Sequence, residues 1–208
     1  MGGDYIIKEA CVESFTEALR MQYLKANRIE LCSRLDIGGL TPSIFQIKQS
    51  LKKISIPVKV MIRCRGGNFN YSTKEVDEML NDIQKVKKLG VKEIVFGALD
   101  KNNFIDLDLM KVFSLEAFPM RITFHKAIDL TENIKSEIEK LSKFKNVNSV
   151  LTSGGELTAE KGKQTLKEII QDFKGQINII AAGSVNKNNL ESLHEFLKGR
   201  EYHGKKIV

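Results

Sequence analysis

The chain has 208 residues, 42% hydrophobic and 28% charged, with a formal net charge of +7. That length accommodates one sizeable domain, and that balance of apolar and charged residues excludes wholesale disorder. The positive excess is lysine scattered along amphipathic segments (Lys85, Lys87, Lys88, Lys140, Lys143, Lys145) rather than one dense patch interleaved with aromatics, so no nucleic-acid partner is expected.

No apolar run approaches the ~20 residues that span a bilayer, so no membrane partner is expected either. Met1-Gly2-Gly3-Asp4 offers no basic stretch ahead of an apolar one, as a secretory signal would, and Ile6 stands where a myristoylation pattern needs Ser or Thr. Cys11, Cys32 and Cys64 are odd in number, widely spaced and without a CxxC pair. This predicts reduced thiols and a cytoplasmic location.

Short apolar runs alternate with amphipathic helices along the whole chain. Ile6 to Val12 reads as a strand, and Ser14 caps a helix through Lys25. Arg28 to Cys32 is the second strand, and Thr41-Pro42-Ser43 opens a helix to Leu51. Val58 to Arg63 is the third, apolar and β-branched as a strand covered on both faces should be. Ser72 or Thr73 caps a helix carrying Val76, Met79, Leu80, Ile83, Val86 and Leu89 on one stripe, and Gly90 ends it.

The alternation continues with strands at Glu93–Leu99, Arg121–Ala127, Ser149–Ser153, Ile177–Gly183 and Glu201–Lys205. Helices over Asp108–Ala117, Glu132–Phe144, Ala159–Phe173 and Asn188–Leu197 separate them. Eight strands joined by helices predict an α/β fold: a short TIM (β/α)8 barrel forming one domain over 1–208, with no full helix after the last strand. An open doubly wound sheet is the competing architecture, and it rarely needs eight parallel strands in so short a chain.

Barrels of this kind work at the carboxyl ends of their strands. Those ends here carry Glu9 and Cys11, Glu30 and Cys32, Arg63 and Arg65, His125 and Asp129, Thr152 and Ser153, Gly183 and Ser184, and Glu201 and His203. Arg63 and Arg65 stand two apart on an extended stretch, so both guanidinium groups should aim at one point beyond the strand end, where their donor forks suit a carboxylate or phosphate. Gly66-Gly67 then lets the backbone turn or lie close to a ligand. Cys11 and Cys32 on adjacent strands either hold one soft ion, Cu(I) in particular, or simply pack.

Glu9, Glu30, His125 and His203 are candidates for proton exchange. The Thr152-Ser153-Gly154-Gly155 and Gly183-Ser184 loops offer backbone N–H groups to an anion. Lys59 and Lys126 read as out of phase with the inward positions Met61/Arg63 and Thr123/His125, which disfavours a Schiff-base enzyme. His194 falls in a helix and is expected to be solvated or packed. Cys64 should face away from the mouth.

Several stretches together resemble the CutC family, the so-called copper homeostasis proteins. They are Arg28-Ile29-Glu30-Leu31-Cys32-Ser33, Gly38-Gly39-Leu40-Thr41-Pro42-Ser43, Met61-Ile62-Arg63-Cys64-Arg65-Gly66-Gly67-Asn68-Phe69, Val95-Phe96-Gly97-Ala98-Leu99, Thr123-Phe124-His125-Lys126-Ala127 and Leu151-Thr152-Ser153-Gly154. The likeness runs collinearly from about Glu9 to His203-Gly204. It implies a cytoplasmic TIM barrel that forms homo-oligomers, a dimer being expected here, with Cys11 and Cys32 as Cu(I) ligands.

By the same resemblance the mouth residues are Glu9, Glu30, Arg63, Arg65, His125, Asp129, Ser153 and His203. Cys64 stands where the family usually has proline, Lys126 where arginine is common and Ser184 where glycine is. The short tail leaves open whether the chain or a partner subunit closes the eighth side. Two functions are therefore carried forward. The first is a copper homeostasis protein that handles Cu(I). The second is a barrel enzyme acting on a small anionic metabolite by acid/base chemistry, with Arg63, Arg65, Asp129, Ser153, Gly183 and Ser184 holding the anion.

Overall fold

A computed structural model describes residues 5–208. Eight parallel strands close into one barrel in sequence order: β1 (Ile7–Val12), β2 (Arg28–Leu31), β3 (Val58–Met61), β4 (Glu93–Phe96), β5 (Arg121–Phe124), β6 (Val147–Thr152), β7 (Asn178–Ala181) and β8 (Glu201–Gly204). Seven α-helices lie between them: α1 (Phe15–Tyr23), α2 (Ile44–Lys53), α3 (Thr73–Lys88), α4 (Leu107–Ala117), α5 (Ile134–Leu141), α6 (Lys163–Asp172) and α7 (Leu190–Leu197). The TIM barrel expected from the sequence is the fold. β8 pairs with β7 on one side and β1 on the other, so the chain closes its own eighth side.

The helix starts follow local chemistry. Ser14 accepts the Glu17 N–H, Ser72 and Glu75 form a capping box, and Gly90 ends the third helix region at φ 85°. Two short 3-10 turns, Leu35–Ile37 and Lys126–Leu130, sit inside loops that the sequence reading had left plain or assigned to a strand.

Strand alternation divides the residues into two environments. Outward positions such as Ile29, Leu31, Val60, Ile62, Ile94, Phe96, Ile122 and Phe124 pack with the helices in the main apolar core. Phe96 stacks on Phe113 of α4 with ring centroids 4.2 Å apart. The lumen is different. Its lower part is an ion layer: Arg28 bonds Glu9 and Glu201, Lys59 lies 3.1 Å from Glu9 and 2.9 Å from Glu93, and Arg121 lies 3.2 Å from Glu93.

Lys59 therefore points inward, contrary to the sequence reading. It stands two residues before the inward Met61, and that parity alone places it in the lumen. Above the ions come Cys11, Cys32, Met61 and Val95 on one side and Leu151, Ile180 and Ala182 on the other. The barrel is thus ionic at its base and open at the strands' carboxyl ends.

Candidate functional site

β1 and β2 pair with Cys11 opposite Glu30, which sets Cys32 one inward step higher. The two Sγ atoms come within 3.9 Å, and Glu30 Oε1 lies 3.7 Å from Cys11 Sγ and 3.3 Å from Cys32 Sγ. β8 delivers His203, whose Nδ1 is 2.8 Å from Glu9 Oε1 and 3.8 Å from Glu30 Oε2. Cys11–Glu30–Cys32 and Glu9–Glu30–His203 are two donor triads that share Glu30.

Electrostatics separates these groups. Hydrogen bonding from Cys32 brings the Cys11 thiol down to about 5 against the opposing effect of burial, and His203 adds to the shift; Cys32 itself is held well above the usual thiol range. Burial, with Cys11 and Glu9 adding, lifts Glu30 to about 8, so its carboxyl keeps a proton at neutral pH. Burial alone would neutralise Glu9 and His203. Lys59 and Arg28 nevertheless hold Glu9 well below the carboxylate range, while Glu30, Cys11 and Glu9 hold His203 well above the imidazole range.

His125 is tuned the other way. Burial and the neighbouring Arg63 lower it to about 3. Its Nδ1 accepts the Ala127 N–H at 3.2 Å, so the ring proton of the neutral imidazole sits on Nε2. Gly97 makes room for the ring, because a Cβ there would overlap the imidazole. His125 therefore offers Nε2–H as a donor to the cavity, with burial and Arg63 disfavouring its charged form.

An NMR pH titration checks this: the His125 ring should stay neutral from pH 8 down to 5. His125 should ordinarily titrate near 6.5 when unfolded and near 3 when folded. Its contribution to stability is then complete above pH 6.5 and is lost as pH falls toward 3.

Cys11, Glu30, Arg63, His125, Gly183, Ser184 and His203 line one cavity of about 490 Å³ at the mouth. Sequence reasoning placed these seven at the strand ends, and the fold brings them together. Five other candidates lie outside that lining, among them Cys32, buried beside Cys11 and Glu30. Glu9 is fully buried beneath the cavity, in the ion layer. Arg65 turns outward, with Nε 2.5 Å from Glu75 and Nη atoms on the Asn68 and Asn70 carbonyls, because β3 has already ended at Met61 and the pleat no longer governs its direction. Asp129 accepts the Thr152 hydroxyl and the Ser153 and Gly155 N–H groups, and Ser153 bonds Asp129 and Lys126, so this pair staples one loop to the next behind the cavity.

Arg63 does reach the mouth, but its Nη donors go to the Ile37, Gly39 and Gly67 carbonyls, and its guanidinium lies 4.6 Å from the Phe69 ring centroid. It holds two loops in place around the cavity. His194 packs with its Nδ1 3.0 Å from the Tyr202 hydroxyl, and Cys64 lines a separate outer cleft. Sequence reasoning missed Phe69, Asn186, Lys205 and Lys206 in the lining. Lys205 reads as the end of the last strand and Lys206 as lying past it, and the Asn186–Lys206 bridge, long-range in sequence, folds them over the mouth.

An eight-stranded parallel βα barrel with an open cavity at the strands' carboxyl ends defines the TIM-barrel class. Within that class the match is specific. The chain belongs to the CutC family, whose model matches residues 6–208. It is 36% identical over 197 residues to the human copper homeostasis protein cutC homolog, covering 95% of this chain and 72% of that one. It is 37% identical over 195 residues to a CutC family protein of Glaesserella parasuis, covering 94% and 80%.

A CutC crystal structure from Streptococcus agalactiae superposes with a TM-score of 0.92 at 30% identity, covering 98% of this chain and 100% of that one. Dihydrodipicolinate synthase from Bacillus anthracis, at 13% identity and a TM-score of 0.64, shares the barrel alone. Among the described residues no helix is long and apolar enough to cross a membrane.

Proposed function

We propose that the protein handles Cu(I) in the cytoplasm, taking the ion between Cys11 and Cys32 with Glu30 as a third donor. The approach of the two Sγ atoms to 3.9 Å beside a carboxyl oxygen carries the reading. The donor set fits the cargo, since soft thiolates suit Cu(I). Glu9, the other acidic neighbour, is already committed to Arg28 and Lys59. Three free thiols accord with a reducing compartment. Anaerobic titration with Cu(I) against a chelator tests the proposal: one ion per chain should be held, and an empty site at equimolar chelator would end it.

A second reading, a barrel enzyme acting on a small anionic metabolite, is favoured by the cavity itself. At about 490 Å³ it is far larger than one metal ion requires and falls within the ~300–1,000 Å³ of small-molecule sites. In this reading Glu30 donates a proton, being protonated at neutral pH, and His125 Nε2–H polarises an acceptor on the substrate. Incubation with a metabolite extract followed by mass spectrometry should reveal a consumed compound, with turnover abolished in Glu30→Gln.

The homodimer belongs to both readings. Exposed apolar side chains gather along α4 and at its end, with Leu107, Val112, Leu115 and Phe118 all solvent-facing. Leu115→Lys should convert a dimer to a monomer in light scattering.

A further inference from the structure

The cavity wall carries a lopsided set of charges. Arg63, Lys126, Lys205 and Lys206 are cationic, and Glu30 is the sole carboxylic acid in the lining. Two of the cations are committed elsewhere: Arg63 to three loop carbonyls, and Lys126 to Asp129 and Ser153. The two at the β8 end are not. Among the described residues Lys206 Nζ has no ion pair or hydrogen bond, and Lys205 Nζ makes only a 3.4 Å contact with the Leu35 carbonyl.

Opposite these lysines, the chain after β7 turns through Gly183 at φ 97° and Ser184 at φ 59°. Gly183, Ser184 and Val185 all line the cavity, and a turn whose successive backbone N–H groups are free can receive an anion. The N–H groups of Gly183, Ser184 and Val185 find no acceptor among the described residues. The two segments are tied edge to edge, with Lys187 N–H bonded to the Lys206 carbonyl at 2.9 Å. An independent sign of a missing ligand lies deeper in the cavity. Glu30 Oε2, Arg63 Nε and His125 Nε2, on side chains 2%, 4% and 5% exposed, are buried without partners.

We infer that the mouth binds a phosphate monoester of a small polar molecule, its phosphate held by the Gly183–Val185 backbone and the Lys205 and Lys206 ammonium groups. The rest of the ligand extends to Glu30 and His125. A phosphate's charge and acceptor oxygens match two free ammonium groups and a row of free N–H donors, as at the phosphate end of other barrels built from the loops after strands seven and eight. A phosphate alone would fill little of the cavity, so the organic part is what meets the unpartnered polar atoms. The inference rests on the small-molecule reading of the cavity and adds the ligand class and the residues that hold it.

The test is calorimetric titration with inorganic phosphate and with a set of three- to six-carbon sugar phosphates, backed by amide NMR. The wild-type chain should bind, more weakly at high salt, with the Gly183, Ser184 and Val185 amide signals shifting. Lys205→Glu/Lys206→Glu should lose about tenfold or more in affinity. A charge-matched control on exposed helix-end and loop lysines, Lys52→Glu/Lys174→Glu, should not. Absence of binding by the wild-type chain, unshifted 183–185 amides, or equal losses in the two variants would overturn the inference. Turnover of a non-phosphorylated compound without phosphate binding would overturn it while leaving the enzyme reading intact. Phosphate binding at these residues without turnover of any compound would support it and count against the enzyme reading alone.

Discussion

Cys11→Ser/Cys32→Ser is expected to weaken Cu(I) binding by about a thousandfold or more, roughly 4 kcal/mol. A serine hydroxyl is hard and stays protonated at neutral pH, so it offers Cu(I) neither softness nor charge. Cys11 supplies both, being held ionised near 5 by the Cys32 hydrogen bond despite its burial. Either single variant leaves one thiol beside Glu30 Oε1 and should lose less than the double variant. Serine differs little from cysteine in size, so the thermal midpoint should barely move, which separates loss of ligands from loss of fold. Wild-type affinity in the double variant would place copper elsewhere or nowhere.

Lys59→Met is expected to destabilise the barrel by about 3–5 kcal/mol. Lys59 is 1% exposed and bridges Glu9, Glu93 and the Thr123 hydroxyl at 3.1, 2.9 and 2.7 Å. Removing the ammonium leaves two buried carboxylates, 0% and 5% exposed, short of a counter-charge. Arg28 and Arg121 still serve one carboxylate each, which keeps the loss below collapse. Urea unfolding should show a lower midpoint with an unchanged slope, and Lys59→Met/Glu9→Gln/Glu93→Gln should recover part of the loss. A cost under about 1 kcal/mol would mean that the ion layer does not hold the base of the barrel.

Most of the architecture can be read from the chain because most strands are short and apolar and several helix starts carry their own cap, as at Ser14 and Ser72. Strand parity also locates much of the site: it places Cys11, Glu30, Arg63, His125 and His203 inside. It would have placed Lys59 there too, two positions before Met61. Parity stops being informative where the strand stops. Arg65 lies four residues past Met61, beyond the ladder, and its direction is set by Glu75 on the next helix.

Asp129 and Ser153 show a second limit. They come from different loops, and their bonds to each other make them staples rather than lining. No local pattern announces a pairing 24 residues apart. The same holds for Lys205 and Lys206, which reach the cavity only through the bridge to Asn186. His125 shows a third limit. Its position is legible, but its protonation depends on burial and on Arg63, which exist only in the folded chain.

X-ray absorption at the copper edge, on protein loaded anaerobically with one equivalent of Cu(I), tests the thiol-pair account most directly. It should show a reduced ion with two sulfur neighbours and at most one oxygen. A first shell of nitrogen and oxygen alone, or the same spectrum from Cys11→Ser/Cys32→Ser, would contradict it.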